Sequence, residues 1–584
     1  MKFYENLKPR IIIIGIFIAF AFIFLILRLW QLQIIDQDIF KEKALRNRTR
    51  LRLIKPARGL IYDRNGNLIV SNTSSFYIAI IPAETYRDIE KTSKILGEIL
   101  NIDKEKIKDI VKKRGRYSYK EYILKDKLDI KEVTELKEHQ DELSGIVIGL
   151  RPIRKYIYNS FAAHLIGYTG LISLKELRAS KDDPYGYDVN DIVGKSGIEK
   201  TFEEKLRGVK GWEEVEVNTY GRIVNIIQRK DPKIGEPLYL SIDKDLQQFV
   251  ESLLLGKRGV IIISNPKTFE ILAMASSPTY NPEIFIDTKK YKKEWQKTMS
   301  NPAHPLTNRA IQGIYPPGSI FKLVTAIGAL EEGWNPSKEI YCGGVTKIAG
   351  RNFYCWKRSG HGDLNLLEGI ENSCNIQFYT LGGYIGPNKL YKYGKMLGLG
   401  EKTGIGLPGE KKGLLPNPAW KRKRLKEIWY PGDTANMSIG QGFVLVTPIQ
   451  ILSLINTIIN NGKVYMPQII KTNTPEIKKK LNIRKRSFEL VKEGMRLVVK
   501  EGTARASRIR ELPYAGKTGT AQNPHGEPHS WFAGFAPYPN PEISFVILIE
   551  NGGEGSEAAA PIAKKIVEKY FNIPEEVEDE EKKD

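Results

Sequence analysis

Long apolar runs are almost absent from these 584 residues; there is one, at the start of the chain. Internal repeats and long low-complexity segments are absent too, so no repeat architecture is expected. No Cys/His finger spacing, aromatic RNA-binding stretch or basic arm accompanies the formal charge of +22, so nucleic acid is not the expected partner. The remaining reading is a basic surface facing anionic lipid headgroups or an acidic polymer. The only charge run is acidic, PEEVEDEEKKD at 574–584, and reads as a solvated, disordered tail. Cysteine is scarce as well: there are three, all between 342 and 374.

The single apolar run, IIIIGIFIAFAFIFLIL at 11–27, carries no charge. With RLWQLQII behind it, the run supplies about 20 spanning residues, enough to cross a bilayer core. Lys2, Lys8 and Arg10 precede it, which keeps the short tail cytoplasmic and exports the remainder. Arg28, Leu29 and Trp30 follow instead of a small-x-small cleavage site, so an uncleaved anchor is expected. The chain is long enough for more than one core. The expected organisation is a tail at 1–10, a transmembrane helix at 11–31, an exported mixed domain at 32–236, a second domain at 237–573, and the acidic tail. This places the protein in the cell inner membrane as a single-pass chain with its large domains outside the cytoplasm.

Within the exported part, residues 31–57 read as a helix leaving the membrane. RGLIYDRNGNLIVSN (58–72) reads as strand, turn and strand about Asn65-Gly66. Residues 85–145 have helical spacing, GKSGIEKTFEEKLRG (194–208) reads as a helix, and GWEEVEVNTYGRIVNII (211–227) as a hairpin. No catalytic constellation occurs before the Pro/Gly boundary DPKIGEP (231–237). Beyond it, two β-rich runs at 258–278, long helical stretches and returning strands at 514–551 predict an α+β domain closed around one sheet.

In IYPPGSIFKLVTAIGALEEGW (314–334), Ser319 and Lys322 are three apart at the start of an apolar helical stripe. A helix N-terminus favours a developing alkoxide, and a desolvated Lys one turn on can take the serine proton. Ser-x-x-Lys alone is weak, for Ser241/Lys244 and Ser264/Lys267 share it; neither is expected to have a helix behind it. Ser373 and Asn375, two apart in an expected extended turn, could relay a proton and hold a substrate amide. Lys-Thr-Gly occurs twice. Lys402-Thr403-Gly404 lies among Gly and Pro and reads as a loop. Lys517-Thr518-Gly519, followed by Thr520, reads as an edge strand. Such an edge can pair with an extended peptide while the Lys meets a carboxylate, and Gly519 would keep it open to the substrate.

The ordered set S-x-x-K, S-x-N and K-T-G resembles the penicillin-binding protein and serine β-lactamase superfamily. The anchor, RGLIYDRNG, GKSGIEKTFEEKLRG, MSIGQGFVLVTPIQ (437–450) and HSWFAGFAP (529–537) are similar to class B penicillin-binding proteins, above all the penicillin-binding protein 2 group. The resemblance covers about residues 10 to 570. It implies an elongated pedestal domain (32–236) and a transpeptidase domain (237–573) with an antiparallel sheet flanked by helices. It also implies acyl transfer on D-Ala-D-Ala stem peptides of peptidoglycan, with β-lactams acylating the same serine. Ser319 would be the nucleophile, Lys322 its base, Ser373 a proton shuttle and Asn375 a backbone clamp. Lys517, Thr518 and Thr520 would bind the terminal carboxylate, and the Ser319 and Thr520 amides would form the oxyanion hole. The family further implies a SEDS-type glycosyltransferase and a rod-shape complex as membrane partners. A D,D-carboxypeptidase or β-lactam hydrolase needs only water in place of the amine. A non-catalytic β-lactam-binding scaffold is the third reading.

The three cysteines enclose a histidine: Cys342, Cys355, His361 and Cys374. An exported chain with three cysteines ordinarily has one disulfide and a spare thiol, and burial as small hydrophobes is also open. Three Cys and one His equally make a closed tetrahedral zinc set. The penicillin-binding protein 2 group resembles this, with a zinc near the middle motif and carboxylates at some ligand positions. A structural Zn2+ is therefore expected, with a Cys342–Cys355 disulfide as its rival. Cys374 lies between Ser373 and Asn375, so a metal there would pin the catalytic turn from behind.

Overall fold

The computed structural model describes residues 8–41, 49–115, 118–180, 186–217, 223–288, 290–472, 474–524 and 526–574. The acidic tail beyond Pro574 and the first seven residues lie outside them. Helix α1 (Lys8–Trp30) is continued by a turn over Gln31–Ile35, and Ile11–Ile35 is long and apolar enough to cross a membrane. Its apolar side chains are exposed all round, as a lipid-facing helix requires.

The chain folds as two compact units whose division differs from the 236/237 boundary expected from sequence. One unit comprises Met1–Ala57, Ser74–Ile153 and Gly208–Ile234; the other comprises Arg58–Thr73, Arg154–Arg207 and Gly235–Asp584.

In the first unit, β1 (Thr49–Ile54) pairs antiparallel with β2 (Gly211–Val217), which pairs with β3 (Ile223–Lys230). The hairpin expected at 211–227 is present; its turn lies outside the described residues. The helix expected through 31–57 is not continuous. TRLRLI forms a strand, because alternation of Arg and Leu puts each residue type on one face of a sheet. Helices Ile89–Leu100, Lys104–Arg114 and Ile130–Glu138 bury Leu96, Leu100, Ile107, Val133 and Leu136 against Ile78 and Ile80, with a strand at Tyr122–Leu128 between them.

The second unit is built on a five-stranded antiparallel sheet. Its strands are β4 (Gly259–Ser264), β5 (Ile271–Ser277), β6 (Ala515–Ala521), β7 (His529–Ala536) and β8 (Ile543–Ile549), in the order β5-β4-β8-β7-β6. Strands β4 and β8 are buried at every position, which explains their unbroken apolar sequences GVIIIS and ISFVILI. Helices cover the sheet: α2 (Lys322–Glu331), α3 (Leu366–Glu371), α4 (Asn375–Ile385), α5 (Pro448–Ile459), α6 (Lys485–Lys500) and α7 (Ala559–Phe571). Helix α2 is buried from Lys322 to Leu330 and α5 from Pro448 to Ile458, so both run through the core. The α+β class and the flanked antiparallel sheet are as expected.

Candidate active site

Ser319 lies in a tight 3-10 turn (Gly318–Phe321) that leads directly into α2. Gly318 makes that turn possible. Its φ is +53°, and a Cβ there would stand 2.8 Å from the carbonyl oxygen of Thr520. The Ser319 turn is therefore seated against β6 by backbone-to-backbone approach. Gly440 closes the other side: its carbonyl accepts from Gly318 N at 3.0 Å, and a Cβ on it would meet Gly318 O at 2.3 Å. The Trp531 indole donates to Pro316 O at 3.1 Å. These contacts give MSIGQGFVLVTPIQ and HSWFAGFAP their place beside the serine.

Lys322 is fully buried one turn after Ser319. Its ammonium donates to Ser373 O at 2.7 Å, to Ser373 Oγ at 3.2 Å and to Asn375 Oδ1 at 2.7 Å. Burial pushes its pKa from 10.5 down to about 8, against the pull of the Cys374 and Cys355 thiols. The first two motifs thus meet at one nitrogen. Ser373 is not in an extended turn: it takes a left-handed conformation, φ +50°, between α3 and α4. That conformation turns the chain sharply between two helices, so both the Ser373 and the Asn375 side chains reach Lys322.

Lys517, Thr518, Gly519 and Thr520 lie on β6, which is the edge of the sheet as expected. Lys517 is fully buried, and desolvation followed by repulsion from Lys322 holds its pKa well below 10.5. The Thr518 hydroxyl shares a 2.8 Å hydrogen bond with that of Thr503, and the Thr520 hydroxyl donates to Glu554 Oε2 at 2.7 Å. Gly519 differs from expectation. A Cβ there would meet Pro317 O at 3.1 Å and Ile320 Cγ1 at 3.2 Å, so its bareness serves the packing of the Ser319 turn. Lys402 lies in a loop, and Thr403 is spent on Glu410, which its hydroxyl and amide both meet at 2.6 Å.

Ser241 and Lys244 do precede a helix, Lys244–Leu253, contrary to the sequence reading. Ser241 is nevertheless no nucleophile. Its buried hydroxyl is committed to the carbonyls of Ile271 (2.7 Å) and Gln468 (3.0 Å). Gln441, Thr503 and Glu554 went unread in the sequence. Gln441 Nε2 donates to Thr520 O at 3.4 Å, and no local pattern marks any of the three.

Cys342, Cys355, His361 and Cys374 converge as their spacing suggested, with one ligand atom from each within 4.8 Å of the others. His361 Nδ1 is 3.4 Å from Cys342 Sγ and 3.6 Å from Cys355 Sγ. The rival disulfide is not formed: all three cysteines are free thiols. A hydrogen bond from Cys374 holds the Cys355 thiol down to about 4, and the same contact, with burial, pushes Cys374 up. Asn375 Nδ2 and Tyr379 OH donate to Tyr354 O at 3.3 and 3.4 Å, so the residue before Cys355 also supports the catalytic turn.

The family model for the penicillin-binding protein transpeptidase domain matches residues 259–568, and that for the penicillin-binding protein dimerisation domain matches 53–240. Peptidoglycan D,D-transpeptidase MrdA of Acinetobacter baumannii is 34% identical, the match covering 92% of this chain and 84% of the relative. The Escherichia coli K12 protein of that name is 32% identical over 91% and 89%. Among solved structures, the complex of penicillin-binding protein 2 with MreC from Helicobacter pylori matches with TM-score 0.80 and 31% identity, covering 90% of this chain and 99% of that one. A structure described as a peptidoglycan synthase complex coordinating polymerization and crosslinking matches with TM-score 0.71 and 30% identity over 97% and 99%. With its motifs gathered at one site and these relatives along nearly its whole length, the chain belongs to the class B penicillin-binding proteins, in the penicillin-binding protein 2 group.

Proposed function

We infer that the protein is a serine-type peptidoglycan D,D-transpeptidase acting in cell-wall elongation and inhibited by β-lactams. The observation that carries this reading is the convergence of Ser373 and Asn375 on the buried Lys322, one turn from Ser319. In its neutral form Lys322 takes the Ser319 proton as Oγ attacks the penultimate D-Ala carbonyl. The C–N bond then breaks, and the leaving D-Ala amine receives a proton through Ser373. An amine from a second stem peptide attacks the acyl-enzyme, loses its proton to the same relay, and frees Ser319. Lys517, Thr518 and Thr520 hold the substrate's terminal carboxylate. That carboxylate favours the charged form of Lys517, whose repulsion in turn keeps Lys322 neutral.

Labelled penicillin, followed by cross-linking of lipid-linked glycan, tests the reading. Wild type should be labelled and form cross-links, and Ser319→Ala should do neither. Labelling that persists in Ser319→Ala would remove the nucleophile assignment. Hydrolysis without cross-linking would make the protein a carboxypeptidase.

The apolar helix supports a single-pass anchor, and the positive residues before it support catalysis on the extracytoplasmic face of the inner membrane. The solved complexes with MreC and of a peptidoglycan synthase support rod-shape partners in the membrane, and the family resemblance adds a SEDS-type glycosyltransferase to the reading. The Cys342, Cys355, His361 and Cys374 donors suit a structural zinc. One ligand atom from each of the four lies within 4.8 Å of the others, with His361 Nδ1 turned towards the Cys342 and Cys355 sulfurs, and three soft sulfurs with one imidazole nitrogen are a donor set zinc prefers. When bound, such an ion would cross-link the four side chains and take no part in acyl transfer. About one zinc per chain by elemental analysis, lost in His361→Ala, is the expected result. Metal-free protein purified without chelator would end that reading.

A further inference from the structure

The carboxylate end of the cleft contains a carboxylate of its own. Glu554 stands on the loop between β8 and α7, and that loop lies along β6 at Gly519 and Thr520. The approach is close: a Cβ on Gly555 would meet Gly519 O at 2.6 Å and Trp531 O at 2.8 Å. The loop's main chain is fixed on several sides. Gly553 N donates to Pro528 O at 3.0 Å, Ser530 Oγ donates to Glu554 O at 3.1 Å, and Ala558 N donates to the same carbonyl at 3.2 Å. Gly555 N donates to Thr520 Oγ1 at 3.2 Å, which orients that hydroxyl so that its proton goes to Glu554 Oε2 at 2.7 Å. The Thr520 hydroxyl has one proton, and Glu554 holds it.

Glu554 is solvent-exposed, and among the described residues its one side-chain partner is the Thr520 hydroxyl. Its charge is therefore uncompensated at the rim of the cleft. The two lysines of the site, Lys322 and Lys517, are fully buried, and neither pairs with it. A ligand carboxylate arriving at Thr520 must displace Glu554 from the hydroxyl and then sit near a like charge.

We propose that Glu554 is a specificity-determining residue, a charge filter at the carboxylate end of the cleft. It weakens every anionic ligand, so that only one engaging Lys517 and the clamp at Asn375 together is held long enough to acylate Ser319. This rests on the assignment of Thr520 to carboxylate binding in the transpeptidase reading. The chemical class it discriminates against is the small free carboxylate that reaches Thr520 without the second contact.

The test uses the full-length protein in detergent and measures the second-order rate of acylation by benzylpenicillin, an anion, at low and at high salt. Glu554→Gln keeps the size and an acceptor for Thr520 but removes the charge; Glu554→Ala removes both. At low salt, both variants should be acylated about three- to tenfold faster than wild type, the scale of one like charge acting a few ångströms away through a largely aqueous path. High salt should shrink that gain by screening. A Glu554→Gln rate equal to or below wild type would overturn the proposal, and so would a gain indifferent to salt. If Glu554→Ala fails to fold, Glu554→Gln decides alone. Wild type that penicillin does not label at Ser319 would mark failure of the transpeptidase reading instead.

Discussion

Lys322 is surrounded by neutral oxygens, from Ser373 and Asn375, and has no water-facing surface. Burial away from water makes its proton easier to lose despite those acceptors, and only the deprotonated amine can activate Ser319. With a pKa of about 8, the neutral fraction rises about tenfold between pH 7 and pH 9, and the penicillin acylation rate should rise with it. A stopped-flow pH profile that is flat across this range would remove Lys322 from the base role. The two Lys-Thr-Gly copies give a second residue-level comparison. Lys517→Ala removes the buried cation beside the carboxylate-binding hydroxyls and should slow acylation by at least about a hundredfold, the scale of a lost charge-assisted contact made in the transition state. Lys402→Ala alters an exposed loop and should leave the rate within about twofold, as surface substitutions usually do. A larger loss at Lys402 would reverse the assignment of the two copies.

At the level of elements, the site depends on how closely the turn before α2 approaches strand β6. Gly318→Ala would force a side chain into a left-handed backbone and against Thr520 O, where the space is 2.8 Å. The expected cost is about 1 kcal/mol or more of stability, with a larger proportional loss of acylation because β6 must move away from Ser319. Urea unfolding and penicillin kinetics on the same preparation would show it; a variant unchanged in both would deny the turn its role. The elements themselves were legible where periodicity is strong. Ile320 to Leu330 shows a helical stripe, Val260 to Ile263 an apolar strand, and Lys517 to Ala521 an edge. The bare face of Gly519 was not legible, because whether a missing Cβ serves ligand or protein is decided by Pro317 and Ile320, two hundred residues away in the chain. Ser241 was set aside for want of a helix behind it; the helix is there, and what holds the serine back is two carbonyls, Ile271 and Gln468, that its local sequence cannot reveal.

For the whole molecule, the catalytic unit is assembled from three stretches, 58–73, 154–207 and the long run from Gly235. A sequence read from left to right places one boundary near residue 236. It cannot show that RGLIYDRNG and GKSGIEK fold with the catalytic sheet, because their partners are remote in sequence. The two segments are tied to each other by a buried ionic cluster at Glu199, and 58–73 is tied to the long run by Lys244 N, which donates to Asp63 Oδ2 at 3.2 Å. Arg58 donates to Glu199 Oε2 from Nε at 3.1 Å and from Nη2 at 2.7 Å, and Arg154 Nε donates to Oε1 at 2.6 Å. Arg58 Nη2 also pairs with Glu203 at 2.9 Å, and Asn72 Nδ2 donates to Arg58 O at 2.7 Å. Burial alone would raise the Glu199 carboxyl, but Arg154 and Arg58 hold it below the usual range. The carboxylate therefore stabilises the fold at neutral pH and loses that contribution as acid titrates it. Glu199→Gln would leave the buried Arg154 guanidinium without its carboxylate and Arg58 with Glu203 alone, a loss of roughly 3–5 kcal/mol. Because Arg58, Arg154 and the sheet belong to one compact unit, penicillin binding and tryptophan fluorescence should fall together in urea, both at a lower midpoint than wild type. A Glu199→Gln protein within about 1 kcal/mol of wild type would show that the cluster does not hold this unit together. Penicillin binding that outlasts the fluorescence transition would show that the catalytic sheet stands without these two segments.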